Sequence, residues 1–216
     1  MYKGIIFDLD GTLLDTIESI AASANQALQK YGLSTHPRDS YKMFAGDGQE
    51  ELIRRCLYAS GDHQYVYFER VMEEYKRVFK DGCTYEVKPF DGMIELIEQL
   101  KIKGIKLAVL SNKAHGNVKD IVKAVFGENT FQSVLGARPD YARKPSREGI
   151  DIVLGELDLT AKECIYVGDT DTDMQTGKGT GMLTVGVTWG FRSEEELVKN
   201  GADMIVHSPL DILNRI

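Results

Sequence analysis

The chain has 216 residues, 43% hydrophobic and 27% charged, a globular composition that excludes a disordered polypeptide. Its 26 Lys and Arg against 33 Asp and Glu leave a net charge of −7, which excludes nucleic acid, a partner that needs a basic face. No apolar run approaches the ~20 residues that span a bilayer, and Met1-Tyr2-Lys3 runs into Gly4-Ile5-Ile6-Phe7 without the layout of a signal peptide. Cys56, Cys83 and Cys164 are widely spaced and form no CxxC pair, which argues against a zinc knuckle or a disulfide framework. The expectation is a cytoplasmic protein with no membrane partner.

Gly4-Ile5-Ile6-Phe7 is a short apolar run suited to a strand buried on both faces. From about Asp15 to Lys88 helical patterns follow one another instead: Ile17, Ile20, Ala21, Ala24, Ala27, Leu28 and Tyr31, then Tyr65, Phe68, Val71, Met72, Tyr75, Val78 and Phe79. Gly32, Pro37, Gly46, Gly48 and Gly61 punctuate them. Beyond Pro89-Phe90 strand runs return at Lys106–Leu110, Cys164–Val167, Leu183–Val187 and Met204–Val206. Helical patterns separate them: Ile94, Leu96, Ile97 and Leu100; Ile150, Val153, Leu154 and Leu157; Leu197 with Val198. Alternation of this kind predicts an α/β fold, a Rossmann-like, mainly parallel sheet core (1–14 and 89–216) with an inserted α-helical cap (15–88).

Ligands of open α/β sheets bind outside the carboxyl ends of the strands. Asp8-Leu9-Asp10-Gly11-Thr12 follows the first strand, and Gly168-Asp169-Thr170-Asp171-Thr172-Asp173 follows the strand ending at Val167. Carboxylates gathered in one crevice repel unless a cation sits among them, and hard oxygen donors suit Mg²⁺. Ser111-Asn112 follows the strand ending at Leu110, and Lys144-Pro145 precedes the Ile150 helix. Together they offer a nucleophile, a metal site, a hydroxyl, backbone N–H groups and a cation, the parts that phosphoryl transfer needs. Taken singly, each acid reads as a helix cap or turn residue, and Asp171 is assigned to capping. An EF-hand started at Asp169 fails, with Met174 at its sixth position and Thr180 at its twelfth; one started at Asp8 fails at Leu13 and Ser19.

The run Asp8-Leu9-Asp10-Gly11-Thr12-Leu13-Leu14-Asp15, with Ser111, Lys144 and the Gly168-Asp169…Asp173 cluster in that order, resembles the haloacid dehalogenase-like superfamily. Within it the chain is most similar to the phosphoglycolate phosphatase-like group, through Gly46-Asp47-Gly48 and the tail Gly186–Arg192 and Gly201-Ala202-Asp203 as well. The resemblance implies that Asp8 attacks phosphorus to form an aspartyl-phosphate while Asp10 acts as acid, then base. It implies Mg²⁺ at Asp8, the Asp10 carbonyl and Asp169, with Asp173 at the edge of the shell. Thr12 lies in the turn that orients Asp10, Ser111 and the Asn112 N–H bind phosphoryl oxygens, and Lys144 offsets their charge. Asp10 points to phosphoryl chemistry over dehalogenation, and Thr16-Ile17-Glu18-Ser19-Ile20 lacks the His of the family's phosphosugar mutases.

The expected substrate is a small-molecule phosphate ester, phosphoglycolate first. Pyrophosphate, a nucleotide monophosphate and sugar-phosphate or phosphoglucomutase-like chemistry stay open, and a receiver-like signalling module is the non-enzymatic alternative. From Asp15 to Lys88, 10 Lys and Arg face 12 Asp and Glu, no surface for a polyanion. The cap is expected to close over the crevice and set the substrate, and the assembly is read as a monomer or homodimer. Lys42, Arg54 and Arg55 are candidates for a substrate carboxylate, with a solvated helix face as the plainer reading. His36, His63 and His207 are expected at the surface, His115 beside the crevice or solvated, and Tyr65, Tyr67, Phe68 and Tyr75 inside the cap. Glu194-Glu195-Glu196 reads as the acidic first turn of a helix.

Overall fold

The computed structural model describes residues 2–215. Its strands are β1 (Gly4–Phe7), β2 (Leu14–Asp15), β3 (Lys88–Pro89), β4 (Lys106–Ala114), β5 (Ser133–Ala137), β6 (Cys164–Gly168), β7 (Leu183–Val187) and β8 (Met204–Val206). Six of them form one sheet in the order β5-β4-β1-β6-β7-β8, every neighbouring pair parallel. Since all run the same way, their carboxyl ends share one edge of the sheet. The central β1 is buried along its whole length, which is why its sequence is continuously apolar rather than alternating. The helices are α1 (Ile17–Lys30), α2 (Tyr41–Phe44), α3 (Gln49–Ala59), α4 (Phe68–Gly82), α5 (Met93–Ile102), α6 (His115–Phe126), α7 (Glu148–Leu157), α8 (Asp171–Thr180) and α9 (Glu194–Lys199).

The chain divides into two compact units, Met1–Asp15 with Lys88–Ile216, and Thr16–Val87. The first holds the sheet. Part of its core is Ile6, Ala108, Leu110, Leu135 and Tyr166 packed with Ile150, Val153 and Leu157 of α7. β2 and β3 also belong to it, pairing antiparallel as Leu14 with Pro89 and Asp15 with Lys88. The second unit is helical: α1 buries Ile17, Ile20, Ala24 and Leu28, α3 buries Leu52, Ile53, Cys56 and Leu57, and α4 buries Val71, Met72, Tyr75 and Phe79. Glu74 is buried on α4 and paired with Arg77 and Lys30. The three cysteines are free and buried, and no described helix is long and apolar enough to cross a membrane.

Several expectations need correction. Ile94 and Val198 are exposed, because α5 turns Met93, Leu96, Ile97 and Leu100 inward and α9 buries Leu197. Of the four aromatics assigned to the helical interior only Tyr75 is buried; Tyr65 has a positive φ of 57° ahead of α4, and Tyr67 and Phe68 are half-buried. His36 is half-buried, its Nε2 2.9 Å from the Cys56 carbonyl oxygen and 3.0 Å from Ser60 Oγ. α9 does begin at Glu194, capped by Ser193 Oγ accepting from the Glu196 N–H at 3.3 Å.

Candidate active site

Phe7 pairs with Val109 on β4 and Val167 on β6, so β1 delivers Asp8 between the carboxyl ends of those two strands. The Asp8 N–H continues the ladder to the Val167 carbonyl at 2.9 Å, and then the chain doubles back. The N–H groups of Leu13 and Leu14 donate to the Leu9 carbonyl, each at 3.1 Å, and that of Gly11 donates to the Leu14 carbonyl at 2.9 Å. Gly11 has φ +84°, and a Cβ there would lie 2.2 Å from Asp169 Oδ2, so both conformation and space require glycine. The turn returns Thr12 to Asp169, its Oγ1 donating to Oδ1 at 2.8 Å. From the other side the Phe191 N–H donates to Asp169 Oδ2 at 2.8 Å, and a Cβ on Gly190 would come within 2.3 Å of the Asp169 side chain. Trp189 ties the two loops together through Nε1 donating to the Thr12 carbonyl at 3.0 Å.

Thr170, not Asp171, caps α8. Its extended backbone (φ −123°, ψ 163°) puts Oγ1 within 3.3 Å of the Asp173 N–H, and that hydroxyl donates to Asp173 Oδ2 at 2.6 Å. Asp171 is the first helical residue, 3.9 Å from Arg192 Nε. The reciprocal box turns Asp173 inward. Its Oδ2 also accepts from the N–H groups of Asp169 (3.3 Å) and Thr170 (3.1 Å), and its Oδ1 from Tyr166 Oη (3.1 Å) and Lys144 Nζ (2.7 Å). Lys144 Nζ donates to Asp8 Oδ1 at 2.8 Å as well. The Asn112 carboxamide clamps the Lys144 backbone in both directions, accepting from its N–H at 2.9 Å and donating to its carbonyl at 3.2 Å. The sequence reading used only the Asn112 N–H and did not foresee this brace.

It did not foresee Lys113 either. β4 slips register against β5 between Ser111 and Ala114, the Lys113 N–H turns to Ser111 Oγ at 3.2 Å, and Lys113 Nζ lies 2.5 Å from Asp10 Oδ1. Strand alternation alone would set Lys113 on the face of Ser111, but the slip of register breaks that alternation, so no local pattern reports its partner. The structure thus links Asp8, Thr12, Asn112, Lys144, Asp169 and Asp173 in one hydrogen-bonded network, while Asp10 meets Lys113, whose N–H donates to the buried Ser111 on β4.

Carboxylate oxygens of Asp8, Asp169 and Asp173 lie within 4.8 Å of one another, all three residues buried. Burial, then repulsion from Asp173, push the Asp8 carboxyl up to about 7 against the opposing pull of Lys144. Burial and the charges of Asp173 and Asp8 likewise hold Asp169 well above the carboxylate range, with only the Phe191 N–H and Thr12 opposing. Burial works against the Lys144 charge, but Asp173 and Asp8 outweigh it and keep the ammonium charged. Four carboxylates therefore face two ammonium groups. A divalent cation bound by oxygen would relieve the excess, and the donor set fits Mg²⁺.

Other candidates find structural partners. Arg55 pairs with Asp47 and donates to the Phe44 carbonyl at 3.0 Å, bracing the loop that holds Gly46-Asp47-Gly48. Arg54 lies over the rings of Phe68 (4.3 Å) and Tyr65 (5.2 Å). His115 opens α6 half-buried, its Nδ1 accepting from the Gly136 N–H at 3.2 Å, and burial lowers its pKa.

A family model of haloacid dehalogenase-like hydrolases matches residues 5–187, from β1 to the end of β7. The chain belongs to the haloacid dehalogenase-like hydrolases. A phosphoglycolate phosphatase of Aquifex aeolicus is 30% identical over 187 residues, covering 87% of this chain and 85% of the relative. A pyrophosphatase, PpaX, of Listeria innocua is also 30% identical, over 97% of this chain and 94% of its own. A crystal structure from Lactobacillus delbrueckii superposes with a TM-score of 0.92 at 31% identity, covering 100% of this chain and 98% of that one. Within the haloacid dehalogenase-like hydrolases this chain is a phosphatase, as the Asp8–Asp15 motif implied.

Proposed function

We propose that the protein hydrolyses a small phosphorylated metabolite through an aspartyl-phosphate on Asp8, with Mg²⁺ as its metal. The observation that carries this reading is the buried contact of Asp8 with Lys144 beside Asp169 and Asp173. Asp8 Oδ attacks phosphorus while Asp10 gives a proton to the leaving oxygen; Asp10 then takes a proton from the water that opens the acyl phosphate. Lys144 offsets the charge of the phosphoryl oxygens, and Ser111 with the Asn112 N–H binds them. Mg²⁺ would be held by Asp8, the Asp10 carbonyl and Asp169, where it supplies positive charge to the phosphoryl group. Asp173 contributes by orienting Lys144 through Oδ1 and would support the metal from the edge of its shell, beside Asp8 and Asp169.

Phosphoglycolate is the first substrate to test and pyrophosphate the second, on the names of the relatives. The buried free cysteines suit a reducing cytoplasm. Phosphate release from p-nitrophenyl phosphate and a panel of metabolite phosphates, with Mg²⁺ and with EDTA, tests activity and metal dependence. Acid-quenched protein from ³²P-labelled substrate should carry label in the wild type and none in Asp8→Asn. A label that survives in Asp8→Asn, or a wild-type label that never turns over, sinks the reading; the latter is the behaviour of a receiver-like module.

A further inference from the structure

Lys113 has no part in the reaction as described above. Yet its side chain keeps only 8% of its exposure, that of Asp10 15%, and their charged atoms are 2.5 Å apart. A lysine held this deep gives up hydration that its ionic contacts must offset. Its placement follows from the end of β4. The strand slips register between Ser111 and Ala114, the irregularity that re-aims side chains next to sites, and the preceding residue, Asn112, is anchored on the Lys144 backbone.

The geometry points to Lys113 as the positioning residue for Asp10: its ammonium fixes one carboxyl oxygen and so leaves the other aimed at the leaving group. This rests on the reading of Asp10 as proton donor. As the bond from Asp8 Oδ to phosphorus forms, the bond from phosphorus to the ester oxygen breaks. That oxygen takes the Asp10 proton, and the electron pair stays on Asp10, facing Lys113. Water then attacks phosphorus, its proton returns to Asp10, and Asp8 departs as a carboxylate with release of inorganic phosphate. Because the placement of Asp10 matters only where its proton is transferred, loss of Lys113 slows chiefly the esters whose leaving oxygen needs that proton.

Leaving-group dependence of kcat/KM tests this. Glycerol phosphate has an alkoxide leaving group and a neutral tail; p-nitrophenyl phosphate releases a phenolate that is stable without a proton. In Lys113→Met the alkyl ester should lose about tenfold or more and the aryl ester less than about twofold, with Lys113→Arg restoring most of the difference. Equal losses on both esters would mark a structural role and overturn the inference. So would a loss confined to phosphoglycolate with glycerol phosphate untouched, which would make Lys113 a carboxylate-binding group. Asp10→Asn separates the two levels of the argument. Selectivity for the aryl ester in Asp10→Asn but not in Lys113→Met rejects the Lys113 inference alone. Its absence in both rejects Asp10 as the acid, and the inference with it.

Discussion

Thr12 and Asp169 stand 157 residues apart in the chain and meet at 2.8 Å, the hydroxyl of one donating to Oδ1 of the other. A carboxylate that binds metal loses affinity when its outer hydrogen-bond partners are removed, by about 10- to 100-fold. Thr12→Val keeps the shape and deletes the donor. The expected result is an apparent Mg²⁺ Kd about tenfold higher by isothermal titration calorimetry, with Asp169 still held by the Phe191 N–H. An unchanged Kd would show that this contact does not orient Asp169.

Gly190 and Gly155 make a contrasting pair. A Cβ at Gly190 would sit 2.3 Å from Asp169 Cβ, closer than real Cβ contacts, whereas nothing lies within 4 Å at Gly155 in α7. Gly190→Ala should abolish phosphatase activity and Mg²⁺ binding. Gly155→Ala should leave both intact and raise stability by about 0.5–1 kcal/mol, because alanine is the better helix former. Thermal melts and activity of the two variants check this together.

Lys144 is the ammonium shared by Asp8 and Asp173. Its removal strands two buried carboxylates, and breaking a buried pair from one side costs about 3–5 kcal/mol. Lys144→Met should therefore be inactive and less stable to urea by about 3 kcal/mol. The double variant Lys144→Met with Asp173→Asn should recover part of that loss, since one of the stranded charges is gone. A double variant weaker than the sum of the single ones would refute the assignment of charge balance to Lys144.

The helical unit carries its own pH dependence. Hydrogen bonds from Arg77 and Lys30 hold the Glu74 carboxyl down at about 2, below its ordinary 4.5. A depressed acid contributes stability that is fully present above 4.5 and lost as pH falls through about 2, where the folded form takes up the proton. Glu74→Gln should lower the urea midpoint at pH 7, and its gap to the wild type should narrow steadily below pH 4.5. A gap that stays constant down to the acid limit would mean the effect is packing rather than charge.

The sheet and most of its acids were legible because buried parallel strands are written as continuous apolar runs with their functional residues directly after them. β5 escaped because Ser133-Val134-Leu135-Gly136-Ala137 is an edge strand whose Ser, Gly and Ala dilute the apolar signal. α6 escaped although Val118, Ile121 and Val122 repeat at helical spacing. The acids of the site could be read from local motifs, but their supports could not. The Lys144 brace from Asn112, the Asp10 partner Lys113 and the Asp169 partner Phe191 are long-range contacts that no local pattern encodes. Asp171 was misassigned because any acid near a helix start resembles a cap; which one caps depends on the extended backbone of Thr170.

The position of β1 has a consequence for biosynthesis. The strand that leads to Asp8 is made well before its ladder neighbours, which begin at Lys106 and Cys164. A nascent chain therefore carries an aggregation-prone apolar segment with both edges unpaired until β4 is made, and with one edge open until β6 follows. A chain ended before Gly168 lacks part of β6 and all of Asp169, so partial products of translation are catalytically silent until that strand is complete.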